Sequence, residues 1–450
     1  MGRLFGTDGV RGVANTEISC EMAMNIGRAA AMVLTSGDKK PNVLIGMDTR
    51  ISGDMIQSAL ACGLCSVGAN VMTIGVVPTP AVAYLVKHCA YDAAIMISAS
   101  HNPYQYNGIK IFQGDGYKLP DEIEEKIESI ILDGAETSPI NLKVGEQIGT
   151  ITESDDSVVQ YIDHLKNCID CDFEGMNIAL DCANGSSSVT AQTLFESLGA
   201  NAHILSSEPN GININDNCGS THMENLQAYV VKNNLMAGFA FDGDADRMLA
   251  VDENGEMVDG DKIMAICAKF MKDEGKLKDD MAVVTVMSNM GFTKFCEKEN
   301  IKYQSTKVGD RYVLENMLEH GYCIGGEQSG HVIFLDHAST GDGQLTALKV
   351  LEIMKKTGKT LSELASCMTV YPQVLVNVKV SAMGKARYND DTEIKNAITQ
   401  AEKQLGDTGR VLVRISGTEP LVRVMLEGES QEQIDILAKE IAEVVAVRLI

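Results

Sequence analysis

Residues 42–98 read NVLIGMDTRISGDMIQSALACGLCSVGANVMTIGVVPTPAVAYLVKHCAYDAAIMIS. Apolar runs at 42–48, 70–77 and 92–98 alternate with helically spaced stretches at 52–66 and 79–88. Strand, helix, strand, helix, strand is the pattern of a mainly parallel sheet covered by helices. The third run ends in Ser98, Ala99 and Ser100, followed by His101, Asn102 and Pro103. Ser100 thus falls just past a strand's carboxyl end, the edge where open α/β sheets bind ligands. It reads either as a nucleophile or as part of a polar turn.

Outward from this stretch the pattern restarts twice. Strand-like runs at 176–182, 202–206 and 236–241 enclose a helical stretch at 188–198; others at 281–287, 303–308 and 322–326 alternate with helical stretches at 291–299 and 310–319. Three such units in series form a repeat of architecture without a letter-by-letter repeat. The end of the chain differs: strands at 374–380, 410–416 and 421–428 accompany an acidic amphipathic stretch at 390–405 and a final helix at 430–449. The expected fold is therefore three related α/β domains with mixed sheets (1–153, 154–254, 255–369) and a C-terminal α+β domain (370–450).

With 450 residues, 45% hydrophobic and 22% charged, the chain has the composition of a multidomain globular protein. Its net charge of -24 opposes binding to nucleic acid or an anionic membrane surface. A small phosphorylated ligand needs only a local nest of cations and backbone N–H groups. No apolar run reaches the ~18 residues of a membrane span, and MGRLFGTDG has no signal-peptide core, so the expected location is the cytoplasm. The Cys62/Cys65 and Cys168/Cys171 pairs read as reduced buried thiols rather than a zinc site or a disulfide.

FDGDADR (241–247) carries the strongest local chemistry. Asp242, Asp244 and Asp246 alternate with small residues, so one tight loop can aim three hard oxygen ligands at a Mg²⁺ ion. A calcium loop would continue to Glu253, but its sixth position would be glycine, not Arg247, and the flanks would be helical rather than strand-like. Arg247 is placed to grip a phosphoryl group touched by the same metal. RISGTEPLVR (414–423) joins two strands through small residues between two arginines, an anion nest or a plain hairpin turn. GGEQSGH (325–331) suits recognition of sugar hydroxyls through Glu327 and Ser329, with His331 alongside, or is a structural turn. FGTDGVRG (5–12) is a phosphate-contacting loop around Thr7 and Arg11 or a rigid turn. Lys110 and Lys307 are candidate cations.

Taken in order, SASHNPYQYNGIK (98–110), DGDADR (242–247), GEQSGH (326–331) and RISGTEPLVR (414–423) resemble the α-D-phosphohexomutase superfamily over nearly the whole chain. Within it, GRLFGTDGVRG (2–12), GEQSGHVIFLD (326–336) followed by TGDGQLTALKVLEIM (340–354), and RISGTEPLVRVM (414–425) are similar to the bacterial phosphoglucosamine mutases rather than to phosphomannomutases or phosphoglucomutases. The resemblance implies four domains around a central cleft. It makes Ser100 the phosphorylated serine and Ser98 an unmodified neighbour. Asp242, Asp244, Asp246 and the Ser100 phosphate become the Mg²⁺ ligands, and Arg247 the active-site arginine. Glu327 and Ser329 become sugar contacts, and Arg414, Ser416, Gly417, Thr418 and Arg423 the loop that holds the non-reacting phosphate. Thr7, Arg11, Lys307 and His331 complete the expected substrate site. The implied reaction interconverts glucosamine 6-phosphate and glucosamine 1-phosphate through a 1,6-bisphosphate, which can also act as activator, and supplies UDP-N-acetylglucosamine synthesis. His101, Lys110 and His331 are the candidates for proton handling. Members of the group are commonly homodimers. The competing readings are a mutase for mannose or glucose phosphates, a non-catalytic phosphosugar-binding protein, and a phosphatase.

Overall fold

The computed structural model describes residues 3–6, 8–34, 40–134, 140–416 and 420–450. The chain forms two compact units, one of Met1–Met287 with Asn300–Cys367 and one of Ser288–Glu299 with Met368–Ile450. The first contains three sheets and the second contains one.

In the first sheet, β1 (Val10–Val13), β2 (Asn42–Met47), β3 (Asn70–Val76), β4 (Ala93–Ile97), β5 (Tyr106–Gln113) and β6 (Ile151–Glu153) lie in the order β1-β5-β4-β2-β3-β6. Strands β4, β2, β3 and β6 are parallel, as the quoted stretch requires. All five residues of β4 are buried, as expected of a strand covered on both faces. Its helices Gly53–Ser66 and Thr79–His88 bring Leu60 and Leu64, Val82 and Leu85 into the interior. Pro80 lies in the first turn of the second helix, where no intrahelical N–H is lost. The sheet is less parallel than expected: β5 returns antiparallel to β4, and β1 is antiparallel to β5. The Ser100 stretch consequently spans the turn between two adjacent strands.

The second sheet has β7 (Asn177–Asp181), β8 (Asn201–Leu205), β9 (Ala237–Phe241), β10 (Met248–Asp252) and β11 (Met257–Val258), in the order β11-β10-β9-β7-β8. The expected helix at 188–198 is broken into a 3-10 turn, Ser186–Val189, and a short helix, Ala191–Ser197. The third sheet has β12 (Met281–Thr285), β13 (Lys302–Thr306), β14 (Ile324–Gly326) and β15 (Val332–Phe334), in the order β13-β12-β14-β15. The second unit carries the antiparallel strands β16 (Gln373–Lys379), β17 (Gly409–Ile415) and β18 (Leu421–Gly428), ordered β16-β18-β17, over a core shared with helices Thr392–Leu405 and Gln431–Leu449. The three mixed α/β sheets and the terminal α+β unit match the fold class read from the sequence.

All twelve cysteines are free. The expectation that both CxxC pairs are buried fails for Cys62, which is exposed, and for the half-buried Cys171. Among the described residues no helix is long and apolar enough to cross a membrane.

Candidate active site

The turn between β4 and β5 is held from behind by a buried frame. Ser100 is 1% exposed and has a left-handed φ of 51°, a conformation that costs a non-glycine residue about 1–3 kcal/mol. Its N–H donates to Ser98 Oγ at 2.9 Å, and Ser98 donates to Asp48 Oδ2 at 2.6 Å. Arg50, 3% exposed, pairs through Nε with Asp48 at 2.8 Å. It also donates to the carbonyls of Ser100 (2.9 Å), Asn102 (2.8 Å) and Tyr106 (3.0 Å) and to that of Pro103. Asn215, from the second sheet's segment, adds donors to the Ser100 and Asn102 carbonyls. A rigid donor fork is thus matched to the carbonyls of one turn.

Asp242–Arg247 is the hairpin between β9 and β10, whose end residues Phe241 and Met248 are paired. Gly243 is needed for close approach, because a Cβ there would lie 2.6 Å from the Ser100 carbonyl. The approach brings Ser100 Oγ to 2.6 Å from Asp242 Oδ2, to which it donates. Candidate ligand atoms of Asp242, Asp244 and Asp246 lie within 4.8 Å of one another, all buried. Thr79 donates through its hydroxyl to Asp244 Oδ2 (2.6 Å) and through its N–H to the Asp244 carbonyl (2.9 Å).

The donor set fits a hard cation. Asp244 Oδ1 and Asp246 Oδ1 are buried without a hydrogen-bond partner among the described residues. Burial and the neighbouring Asp246 and Asp244 charges push the Asp242 carboxyl well above its ordinary range. Clustered carboxylate oxygens with open valences and mutual repulsion are what a divalent ion of the Mg²⁺ type requires.

Positive charge is fixed around this cluster. Lys110, on β5 and 1% exposed, is 2.8 Å from Asp244, 3.2 Å from Asp246 and 3.1 Å from Asp8. Burial lowers its pKa, but Asp244, Asp8 and Asp246 outweigh that and hold it well above the usual lysine value, so it remains an ammonium. Asp8 also pairs with Arg11 and Lys118. Burial disfavours the charge on Asp8, but Lys110, Lys118 and Arg11 overcome this and keep it ionised. Arg247 is likewise held charged against burial by Asp246, Asp242, Glu327 and Asp8.

The Ser100 hydroxyl donates to Asp242 rather than to the neighbouring His101. The His101 Nδ1 is 2.9 Å from Arg247 Nη1 and 3.3 Å from Ser100 Oγ. Because arginine only donates, Nδ1 accepts and the neutral ring carries its proton on Nε2. Burial, with the Arg247 and Arg11 charges, lowers its pKa to about 4. A group this acidic is a poor base near neutrality.

In the GGEQSGH stretch, Glu327 Oε1 accepts from the Gly309 N–H at 3.1 Å. His331 is 2% exposed, with Nε2 at 3.7 Å from Asp310. Ser329 and Lys307 are exposed, and Lys307 Nζ lies 5.7 Å from the Tyr312 ring centre. In the second unit, Arg414 and Arg423 face each other on β17 and β18, and Ser416 N–H bonds the Leu421 carbonyl at 2.9 Å. Burial and Arg423 lower the Arg414 pKa. Like charges directly opposite each other on paired strands are unfavourable. Thr7, Gly417 and Thr418 lie outside the described residues. Sequence reading gave no role to Asp48, Arg50, Thr79, Lys118, Asn215 or Asp310. The one available signal was the position of Asp48 and Arg50 at the end of a strand, the same edge that singled out Ser100.

The chain matches the phosphoglucomutase/phosphomannomutase family in all four parts: α/β/α domain I over residues 2–138, domain II over 159–255, domain III over 259–371 and the C-terminal domain over 375–444. It is 56% identical over 445 residues to the phosphoglucosamine mutase of Clostridium novyi (strain NT), covering 99% of each chain. Among solved structures, a phosphoglucomutase/phosphomannomutase family protein from Burkholderia thailandensis superposes with a TM-score of 0.82 at 24% identity, covering 100% of this chain and 99% of that one. The Aspergillus fumigatus N-acetylphosphoglucosamine mutase, solved with GlcNAc-6P and magnesium, gives 0.70 at 17% identity, covering 100% and 96%. These two likenesses establish a common fold.

Proposed function

Because the chain belongs to the phosphoglucomutase/phosphomannomutase family, with all four of its domains in order, we propose that it is a phosphoglucosamine mutase working through a phosphorylated Ser100. The observation that carries this reading is the 2.6 Å contact between Ser100 Oγ and Asp242, which joins the serine to the carboxylate cluster. Phospho-Ser100 gives its phosphoryl group to O1 of glucosamine 6-phosphate. The resulting 1,6-bisphosphate turns over in the site, and its 6-phosphate returns to Ser100 to leave glucosamine 1-phosphate for UDP-N-acetylglucosamine synthesis.

Asp242, Asp244, Asp246 and the serine phosphate would hold a Mg²⁺ ion, whose contribution is charge neutralisation on the transferring group. Arg247 and Lys110 supply fixed positive charge without reorganising during transfer. Lys110, held as an ammonium in the metal-free protein, is a proton donor in this reading, and with His101 a weak base His331 is the remaining candidate acceptor. Arg414 and Arg423 would bind the phosphate that is not reacting. An anion site serves both orientations of the sugar because it reads the phosphate rather than the ring.

The test is kcat/KM for glucosamine, glucose and mannose phosphates with Mg²⁺ present. The expected preference for the amino sugar is about tenfold or more, on the scale of one directed polar contact. A preference for mannose or glucose phosphate, or release of inorganic phosphate as the main product, would overturn the assignment.

A further inference from the structure

A chain of alternating charges leaves the carboxylate cluster and ends on an imidazole. It runs from Asp244 to Lys110, Asp8, Lys118 and Asp310, each pair in contact. Asp310 Oδ2 is 2.5 Å from Lys118 Nζ and 3.7 Å from His331 Nε2. On its other side, the Gly341 N–H donates to His331 Nε2 at 3.3 Å. Gly341 also presents its bare Cα to the ring: a Cβ there would lie 2.6 Å from Nε2 and Cδ2.

His331 is therefore clamped in one orientation with two alternatives at Nε2. The neutral ring accepts from Gly341 there and carries its proton on Nδ1. The protonated ring also carries one on Nε2, beside the Asp310 carboxylate. Nδ1 is buried without a hydrogen-bond partner among the described residues.

We propose that Asp310 is a positioning residue for His331, and that Lys118 sets how much of the Asp310 charge the imidazole feels. The inference rests on the mutase reading only for what His331 then touches. Asp310 stabilises the imidazolium, while Lys118 opposes it by neutralising Asp310. Asp8 lies behind Lys118, keeping Lys110 and Arg11 as partners when Lys118 is replaced, and Glu327 is on the same loop as His331.

The two partners make opposite predictions. Asp310→Asn removes the counter-charge and leaves Lys118 facing the ring, so the His331 titration midpoint falls by about 1 unit, the lower end of what an opposite charge at this distance supplies. Lys118→Met frees the Asp310 carboxylate and raises the midpoint. The readout is long-range ¹H–¹⁵N NMR of the imidazoles in the full-length protein, with His331→Asn to assign the resonance and Asp310→Glu to restore the parent value. Shifts in the same direction for both variants, or no shift in either, would overturn the proposal. No substrate is involved, so a failure here is separable from a failure of the mutase reading, which turnover of glucosamine phosphate reports independently. In the turnover assay, the acid limb of the kcat/KM profile should move with the NMR midpoint in each variant, and a limb that stays fixed while the midpoint moves would remove His331 from the reaction.

Discussion

Replacing Arg50 with methionine should cost both stability and rate. The substitution strands the Asp48 carboxylate, 1% exposed, with Ser98 as its remaining side-chain donor. It also removes donors from the carbonyls of Ser100, Asn102, Pro103 and Tyr106, of which Ser100 and Asn102 keep a bond from Asn215. Breaking a buried ion pair from one side costs about 3–5 kcal/mol. Burial already raises the Asp48 pKa while Arg50 lowers it, so without Arg50 the carboxyl takes up a proton more readily. The loss should therefore grow as pH rises. Adding Asp48→Asn removes the stranded charge and should recover about 1–3 kcal/mol, the cost of an unsatisfied buried group. Ser100, released from the frame that imposes its left-handed conformation, should shift away from the carboxylates. A displacement of about 1 Å at a reacting atom lowers kcat on the order of 10²-fold. Urea unfolding and initial rates for parent, single and double variants measure both effects. An Arg50→Met variant within about 1 kcal/mol of the parent and within about threefold of its rate would refute the claim that the buried frame positions Ser100.

Thr79→Val removes the hydroxyl bond to Asp244 without emptying the site, and calorimetric Mg²⁺ titration should show affinity weakened about 10-fold or more; unchanged affinity contradicts that role. Burial raises the Asp342 pKa to about 6, so the folded state holds this proton more tightly than the unfolded chain, and stability is lost as pH climbs from about 4 to 6. Asp342→Asn keeps a capping side chain and should flatten that part of the stability profile by about 3 kcal/mol, and a profile parallel to the parent's rejects the assignment. Arg414→Leu or Arg423→Leu should raise KM for the sugar phosphate about 10–100-fold with a smaller change in kcat, the loss of a charge-assisted bond present throughout the cycle; steady-state kinetics that show only a kcat loss would argue against a phosphate-holding role.

The order of strands and helices in residues 42–98 was legible because buried parallel strands are continuous apolar runs and their helices are amphipathic. Strand β5 was not, because Asn107, Gly108 and Lys110 interrupt its apolar pattern; Lys110 is tolerated inside only because Asp8, Asp244 and Asp246 surround it. The helix expected at 188–198 breaks where Thr190 turns its hydroxyl to the Ser187 carbonyl, a local bond that competes with helical pairing. Asp242, Asp244 and Asp246 stood out because one hairpin supplies all three. Lys118 and Asp310 could not be linked from sequence, since 192 positions separate them and each alone resembles a solvated surface charge. Arg50 was hidden for a related reason: its partners are mostly backbone carbonyls, which have no sequence signature.

The central claim is that Ser100 cycles a phosphoryl group beside the three-aspartate cluster. Intact mass and peptide mapping of the purified chain, before and after incubation with glucosamine 1,6-bisphosphate and Mg²⁺, test it directly. The account predicts one phosphate on the peptide containing Ser100, absent in Ser100→Ala together with all mutase turnover. A folded, metal-loaded protein that turns over glucosamine phosphate with no phosphate on Ser100 in either sample, or a Ser100→Ala variant with full activity, would contradict it.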